Sequence, residues 1–249
     1  MDFPLEHAMK DAVDLCRLTL ARTLLVVSLS AVAGCVPQQM RPTSAGPADA
    51  ALDGLKREYD GLARSGQPVF EVDPARSIVI IEVRRAGTLA NLGHDHVVAS
   101  HDLRGFVAPR EGRADVYVRV ADLAVDEPAL RTAAGFQTEP SAADIAGTRN
   151  NMLTRVLEAD EHPFVVVSVS NARAEATPGG VHPTLTVNGV RRAQDVEATI
   201  DATNETIRVT GSTVVLQTDF GIRPFSILGG SLQVADALTV RFDIIARRL

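Results

Sequence analysis

The residues best equipped for chemistry in this chain are histidines, and two of the six stand two positions apart, in Gly93-His94-Asp95-His96. In extended backbone, side chains two apart share a face, so His94 and His96 would offer two imidazoles together, the beginning of a metal or haem site. Two donors make a weak site, since tetrahedral sites take three or four protein ligands. Asp95 and His101 have the opposite parity to the pair, and Asp102 can join only if the backbone between runs regular. A second reading of the motif is a structural turn whose imidazoles bond backbone carbonyls, and a third gives His94 and His96 a functional role as polar groups at the mouth of a pocket. His162 and His182 each precede a proline and read as structural.

Other reactive patterns fail on their missing partners. Asp219-Phe220-Gly221 matches three residues of a kinase loop, but the Gly-rich phosphate loop, strand lysine and catalytic loop are absent, and Lys56 is the only lysine after Lys10. Gly221 is read instead as a turn residue, with Asp219 bonding nearby amides. No Gly-x-Ser-x-Gly elbow sets a serine beside a base. No catalytic residues and no cofactor are therefore expected.

Composition agrees. The 249 residues are 45% hydrophobic and 22% charged, with 25 basic against 31 acidic side chains and a formal charge of -6. No basic surplus exists to neutralise a phosphate backbone, so nucleic acid is excluded as a partner. Near the N-terminus Lys10, Arg17 and Arg22 precede the apolar run Thr23 to Gly34, which ends at Cys35. About a dozen apolar residues suit a signal-peptide core and fall short of a membrane span. Val32-Ala33-Gly34-Cys35 is similar to a bacterial lipobox, in which cleavage precedes an acylated cysteine. On that reading residues 1–34 are a lipoprotein signal peptide, Cys16 leaves with it, and Cys35 becomes a membrane anchor. Val36, in place of Asp, favours the outer membrane, and Met9-Lys10 makes a more usual start than the acidic leader after Met1. The expected location is the periplasmic side of the cell envelope.

Residues 35–66 read as a Pro-, Gly- and Ser-containing tether followed by a short helix from about Ala48 to Ala63, whose thin apolar stripe predicts loose docking. From residue 67 to 249 the texture becomes runs of Val, Ile and Thr punctuated by Gly, Pro, Asn and Asp. Strands are predicted at about 69–73, 77–85, 95–108, 113–121, 163–174, 183–188, 193–201, 206–218 and 234–247. Within 113–120, Ala114, Val116, Val118 and Val120 oppose Arg113, Asp115, Tyr117 and Arg119, the alternation of a half-wet antiparallel strand. Residues 141–160 interrupt this texture with Ile145, Met152, Val156 and Leu157 at helical spacing and Ser141 as N-cap. This inserted helix is expected to act as a lid or plug, and the apolar loop Phe225 to Gly230 to gate the mouth.

Five local patterns occur in order: Phe70 to Ser77, Gly93-His94-Asp95-His96 before Gly105-Phe106, Glu161-His162-Pro163-Phe164, Thr184 to Val190, and Asp219 to Ile222. Together they resemble the YceI-like family of bacterial periplasmic polyisoprenoid-binding proteins across about 69–247. The resemblance implies an all-β, antiparallel, lipocalin-like barrel of about eight strands, an apolar tunnel for an isoprenoid chain such as that of a quinone, and no catalysis. A barrel of that strand number is just wide enough for one slender ligand. By alternation the lining is expected to comprise Val79, Ile81, Val83, Phe106, Val116, Val118, Val120, Val167, Val209, Val240 and Phe242. A barrel filled by its own side chains would show the same alternation and would make the protein a solid-core envelope stress or adhesion scaffold instead. Oligomeric state is not encoded in these patterns.

Overall fold

The computed structural model describes residues 47–170 and 181–249. The predicted leader, Cys35 and most of the tether lie outside these residues. The helix α1 (Pro47–Arg64) comes first. The strands β1 (Phe70–Val72), β2 (Ile78–Val83), β3 (Arg85–Ala86), β4 (His96–Ser100), β5 (Leu103–Ala108), β6 (Arg113–Arg119) and β7 (Ala124–Val125) follow. Two helices, α2 (Pro128–Ala133) and α3 (Ala142–Asn151), precede β8 (Phe164–Val169), β9 (Thr184–Val187), β10 (Val190–Ala193), β11 (Glu197–Ala202) and β12 (Thr206–Leu216). The last strands are β13 (Ser226–Ile227), β14 (Leu232–Val234) and β15 (Ala237–Arg248).

Twelve of these segments make one antiparallel sheet, and they do so as eight strands, four of them bent. β1 and β2 are two halves of one strand, each pairing with β15; β4 and β5 are likewise halves of the next, and β6 runs through a short turn into β7. The ladder continues through β8 and β9 to β10. From there the chain passes without a turn into β11, which pairs with β12, and β12 returns to β15. A bridge between Val181 and Val196 ties the bend between β10 and β11 to the β9 side. The hydrogen-bonded path therefore closes on itself, which removes the exposed edges an open sheet would carry. Its turns are local: Asn188 and Gly189, at φ 51° and 73°, form the two-residue hairpin between β9 and β10 that needs positive φ at both positions.

The bends have sequence causes. At the first, Asp73 accepts from the Ala75 amide at 3.2 Å, and the Ser77 hydroxyl takes the Ile245 amide at 3.0 Å. At the second, His101 and Asp102 interrupt the predicted strand 95–108, and each break exchanges which parity faces inward. The predicted strand 193–201 begins earlier, at Val190, and is likewise bent. Asp236, not Asp219, bonds the Thr218 amide beside Gly221, which is the left-handed C-cap of a short helical turn. β3, β13 and β14 form a small separate sheet beside the main one.

Both expected helices form. α1 lies against the outer face of β5, and its docking is tighter than its sparse stripe predicts, because Tyr59 is fully buried among Val69, Phe106 and Ala108. Ser141 caps α3 with a reciprocal capping box to Asp144, and the helix passes into a π-helical turn over Met152–Val156. No helix among the described residues is long and apolar enough to cross a membrane.

Candidate functional site

Strand register decides which side chains face the inside. Val79 stands opposite Phe242, Ile81 opposite Val240, and Val209 opposite Ile244. On the far wall Val116 stands opposite Gly105 and Val167, and Val118 opposite Leu103 and Val165. Directly opposed residues share a sheet face, so these apolar side chains line one interior. Gly211 makes room there for the Phe242 ring, since a Cβ on residue 211 would stand 2.7 Å from its Cζ.

Three tightly buried clusters frame that interior. Phe70, Val72, Leu103, Ile207 and Ala246 form one cluster. A second, Val98, Val120, Leu123 and Val125, lies under α3 and its π turn, which contribute Ile145, Met152, Leu153 and Leu157. The third joins Val215, Phe220 and Ile222 to Val156 and Leu185. Between them Val79, Ile81, Val116, Val118, Val167, Val209, Val240 and Phe242 are only half-buried. Together these side chains form a half-buried apolar belt between the three clusters, with the inserted helix over one end.

Two of the sequence-predicted lining residues sit elsewhere. Phe106 stands opposite Glu71 and Asp115 on the outer face, stacked on Tyr59 at 5.2 Å between ring centres. The break at His101-Asp102 is the reason: even-numbered residues face inward in β4 and odd-numbered ones in β5, so Leu103, Gly105 and Val107 take the inner positions. Val120 lies in the short helical turn after β6 and is 1% exposed beneath α3. Val83 faces inward beside His96 and packs into the same cluster.

The histidine pair is brought together at this helix-covered end, ring centres 6.3 Å apart and edge-on. Its partner is a carboxylate rather than the expected carbonyls. His96 Nδ1 donates to Asp126 Oδ2 at 2.6 Å. Asp126 Oδ1 accepts from the Val97 amide at 3.0 Å and from Arg131 at 2.5 Å, and Arg131 also donates to the carbonyls of Asp95 and Thr138. Burial alone would push the Asp126 carboxyl up; the bonds from His96, Val97 and Arg131 outweigh it and hold it below the ordinary 3.8. Asp126 occupies left-handed backbone at φ 59°, a conformation this set of bonds over-determines. His94 keeps a buried Nδ1 with no hydrogen-bond partner among the described residues. The two imidazoles join no third ligand; the group of three metal-capable side chains among the described residues is Glu158, Glu161 and His162, at the end of the π turn.

Sequence reasoning missed the outer lock. The Tyr59 hydroxyl donates to Asp115 Oδ2 at 2.9 Å, and Arg113 bridges Asp115 and Glu58 at 2.8 and 2.9 Å. Burial pushes the Tyr59 phenol well up, and its bond to Asp115 adds to that. Its signal was present in the spacing of Leu55, Tyr59 and Leu62 along one helix face.

Residues 70–246 match the family model described as the YceI-like domain. The chain belongs to the YceI-like family. The YceI-like barrel is similar to a polyisoprenoid binding domain from Saccharophagus degradans implicated in plant cell wall breakdown, at 14% identity and a TM-score of 0.52 over 72% of this chain and 98% of that one. It also matches Burkholderia cenocepacia BcnA at 16% identity and a TM-score of 0.48, over 70% and 98% of the two chains. The Campylobacter jejuni YceI protein matches at 16% identity and 0.38, over 59% and 81%. No curated protein sequence matches the chain. The first of these likenesses supports the same fold in this YceI-like protein.

Proposed function

We propose that this barrel binds one isoprenoid lipid, a polyprenol or quinone-type chain, in its interior and carries or stores it at the bacterial cell envelope without chemical change. The observation that carries this reading is the belt of inward, half-buried Val, Ile and Phe side chains between fully buried clusters. Burying the belt against a hydrocarbon chain would contribute about 25 cal/mol per Å² of apolar surface removed from water. The ligand in the name of the Saccharophagus relative supports the class of lipid. His94, with its unpaired Nδ1 beside His96, would take the polar terminus of the ligand. Among the described residues none in the interior pairs a nucleophile with a base, in keeping with binding without catalysis, and no cofactor is required beyond the lipid. The lipobox-like Cys35 supports a membrane-anchored lipoprotein on the periplasmic face of the outer membrane, with the tether and α1 joining anchor to barrel.

Native mass spectrometry of the protein purified without detergent tests the reading. An added mass of several hundred daltons that extracts into organic solvent is expected for a chain filling such a barrel, as a rough estimate. A ligand-free spectrum, together with no uptake of added polyprenol or long-chain quinone, would overturn it.

A further inference from the structure

The small sheet of β3, β13 and β14 belongs to neither the barrel wall nor its interior. It stands at the end of the barrel that α3 covers, formed by the connections that follow β2 and β12. Ile227 pairs with Leu232, and the helical turn before Gly93 packs on the same strand, so that a Cβ on Gly93 would stand 2.9 Å from Leu232 Cδ1. Three of the seven large hydrophobic side chains most exposed among the described residues cluster on this one feature: Leu92 at 67%, Ile227 at 44% and Leu228 at 65%. Leu228 is held there in left-handed backbone, at φ 51°. Apolar groups grouped in this way on an outer surface mark an interaction site more than scattered ones do.

Charge says what the feature fits. The chain as a whole carries -6, yet neither of the two segments that build the small sheet, 84–94 and 221–234, contains a single Asp or Glu. Both contribute arginine. Arg223 makes no ion pair among the described residues, and Arg155, reaching over from the π turn, lies 5.0 Å from the centre of the Phe225 ring without pairing with a carboxylate. Arg84 and Arg85, by contrast, are engaged with Glu82 and Asp95. The acidic side chains closest in sequence to the two free cations, Glu158 and Asp219, bond neither of them. An apolar tip flanked by unpaired guanidinium groups, on a protein that is otherwise acidic, complements a surface that is negative outside and oily within.

We propose that this small sheet is a docking surface for an anionic phospholipid bilayer, with Leu92, Ile227 and Leu228 entering the headgroup boundary and Arg155 and Arg223 meeting lipid phosphates. Docking there would set the helix-covered end of the barrel against the membrane. The inference stands on exposure and charge, independently of what the interior holds.

The chain contains no tryptophan, so a single introduced indole reports its own surroundings. Leu228→Trp is compared with Val214→Trp, which lies on the outer wall and is 55% exposed in the parent residue. Each full-length variant is mixed with vesicles of phosphatidylglycerol and phosphatidylcholine, some carrying brominated acyl chains. The indole of Leu228→Trp is expected to shift to the blue and to be quenched several-fold more than that of Val214→Trp. This comparison reads local contact, so any insertion of the N-terminal leader affects both alike. Adding Arg155→Gln and Arg223→Gln to Leu228→Trp is expected to weaken vesicle binding about thirty-fold, from roughly a kcal/mol for each basic residue. Equal quenching at both positions overturns the proposal, as does quenching of Leu228→Trp by purely phosphatidylcholine vesicles equal to that by the mixed vesicles. A blue shift that follows protein concentration without lipid would assign the tip to self-association and overturn it too.

Discussion

The two long helices that touch the barrel are held in opposite ways. α1 is locked to the outer wall by a stacked Tyr59–Phe106 pair and a polar chain from Tyr59 through Asp115 and Arg113 to Glu58. α3 and its π turn are held mainly by half-buried Ile145, Met152, Leu153 and Leu157, seated on the buried residues of the barrel end, with one bond from Arg149 to the Ala121 carbonyl. Directional bonds fix a geometry; apolar contacts are interchangeable with any other apolar surface, a lipid chain included. The outer helix is thus built into the wall, whereas the end helix occupies a seat it can share. The Asp126–Arg131–His96 network fixes the start of the segment that carries α3.

That contrast can be broken at several points. Arg131→Ala leaves the buried Asp126 without its arginine partner and is expected to cost about 3–5 kcal/mol in urea unfolding, with α3 losing its anchorage. A cost below about 1 kcal/mol would show that the network does not hold the segment. Phe106→Ala removes the stacked partner of Tyr59 and is expected to cost about 3 kcal/mol while leaving isoprenoid uptake unchanged, because the ring lies outside the barrel. Reduced uptake at unchanged fold would place Phe106 in the site after all. Leu157→Ala loosens the end helix and should cost about 2 kcal/mol, with faster entry and exit of a fluorescent prenol by stopped flow; unchanged rates would mean that the ligand enters elsewhere.

The smallest effect is that of pH. The Asp126 carboxyl is depressed in the folded protein, so its stabilisation is fully present above the ordinary value of 3.8 and is lost as pH falls through the lower folded value. The stability gap between the parent and Asp126→Asn should therefore be constant from pH 7 to about 5 and close in more acid solution. A gap that instead widens on acidification would mean that the carboxyl is raised in the fold.

Much of the wall was legible because the period-two alternation survives wherever a strand runs straight. Val79 and Ile81, Val116 and Val118, and Val240 and Phe242 fall on the inner face from parity alone. Parity fails at bends. Two residues at His101-Asp102 reverse it and carry Phe106 to the outside, and no local feature of Val97 to Phe106 announces the break. The capping box of α3 was readable from Ser141, since caps are local. The Tyr59–Asp115 bond joins residues 56 apart, and the Asp126–His96 bond joins residues 30 apart. Such partners become neighbours only once the barrel exists.

The proposed carriage of an isoprenoid requires that the space between the walls be available to a lipid. The most direct measurement is a titration of detergent-free protein with a long-chain polyprenol, comparing the parent with Val116→Phe/Val167→Phe, which fills the belt from two neighbouring inward positions of one wall at an expected stability cost of about 1–3 kcal/mol. One chain bound per barrel in the parent, and none in the filled variant at retained fold, is the expected result. Equal uptake by both, or none by either, would contradict it.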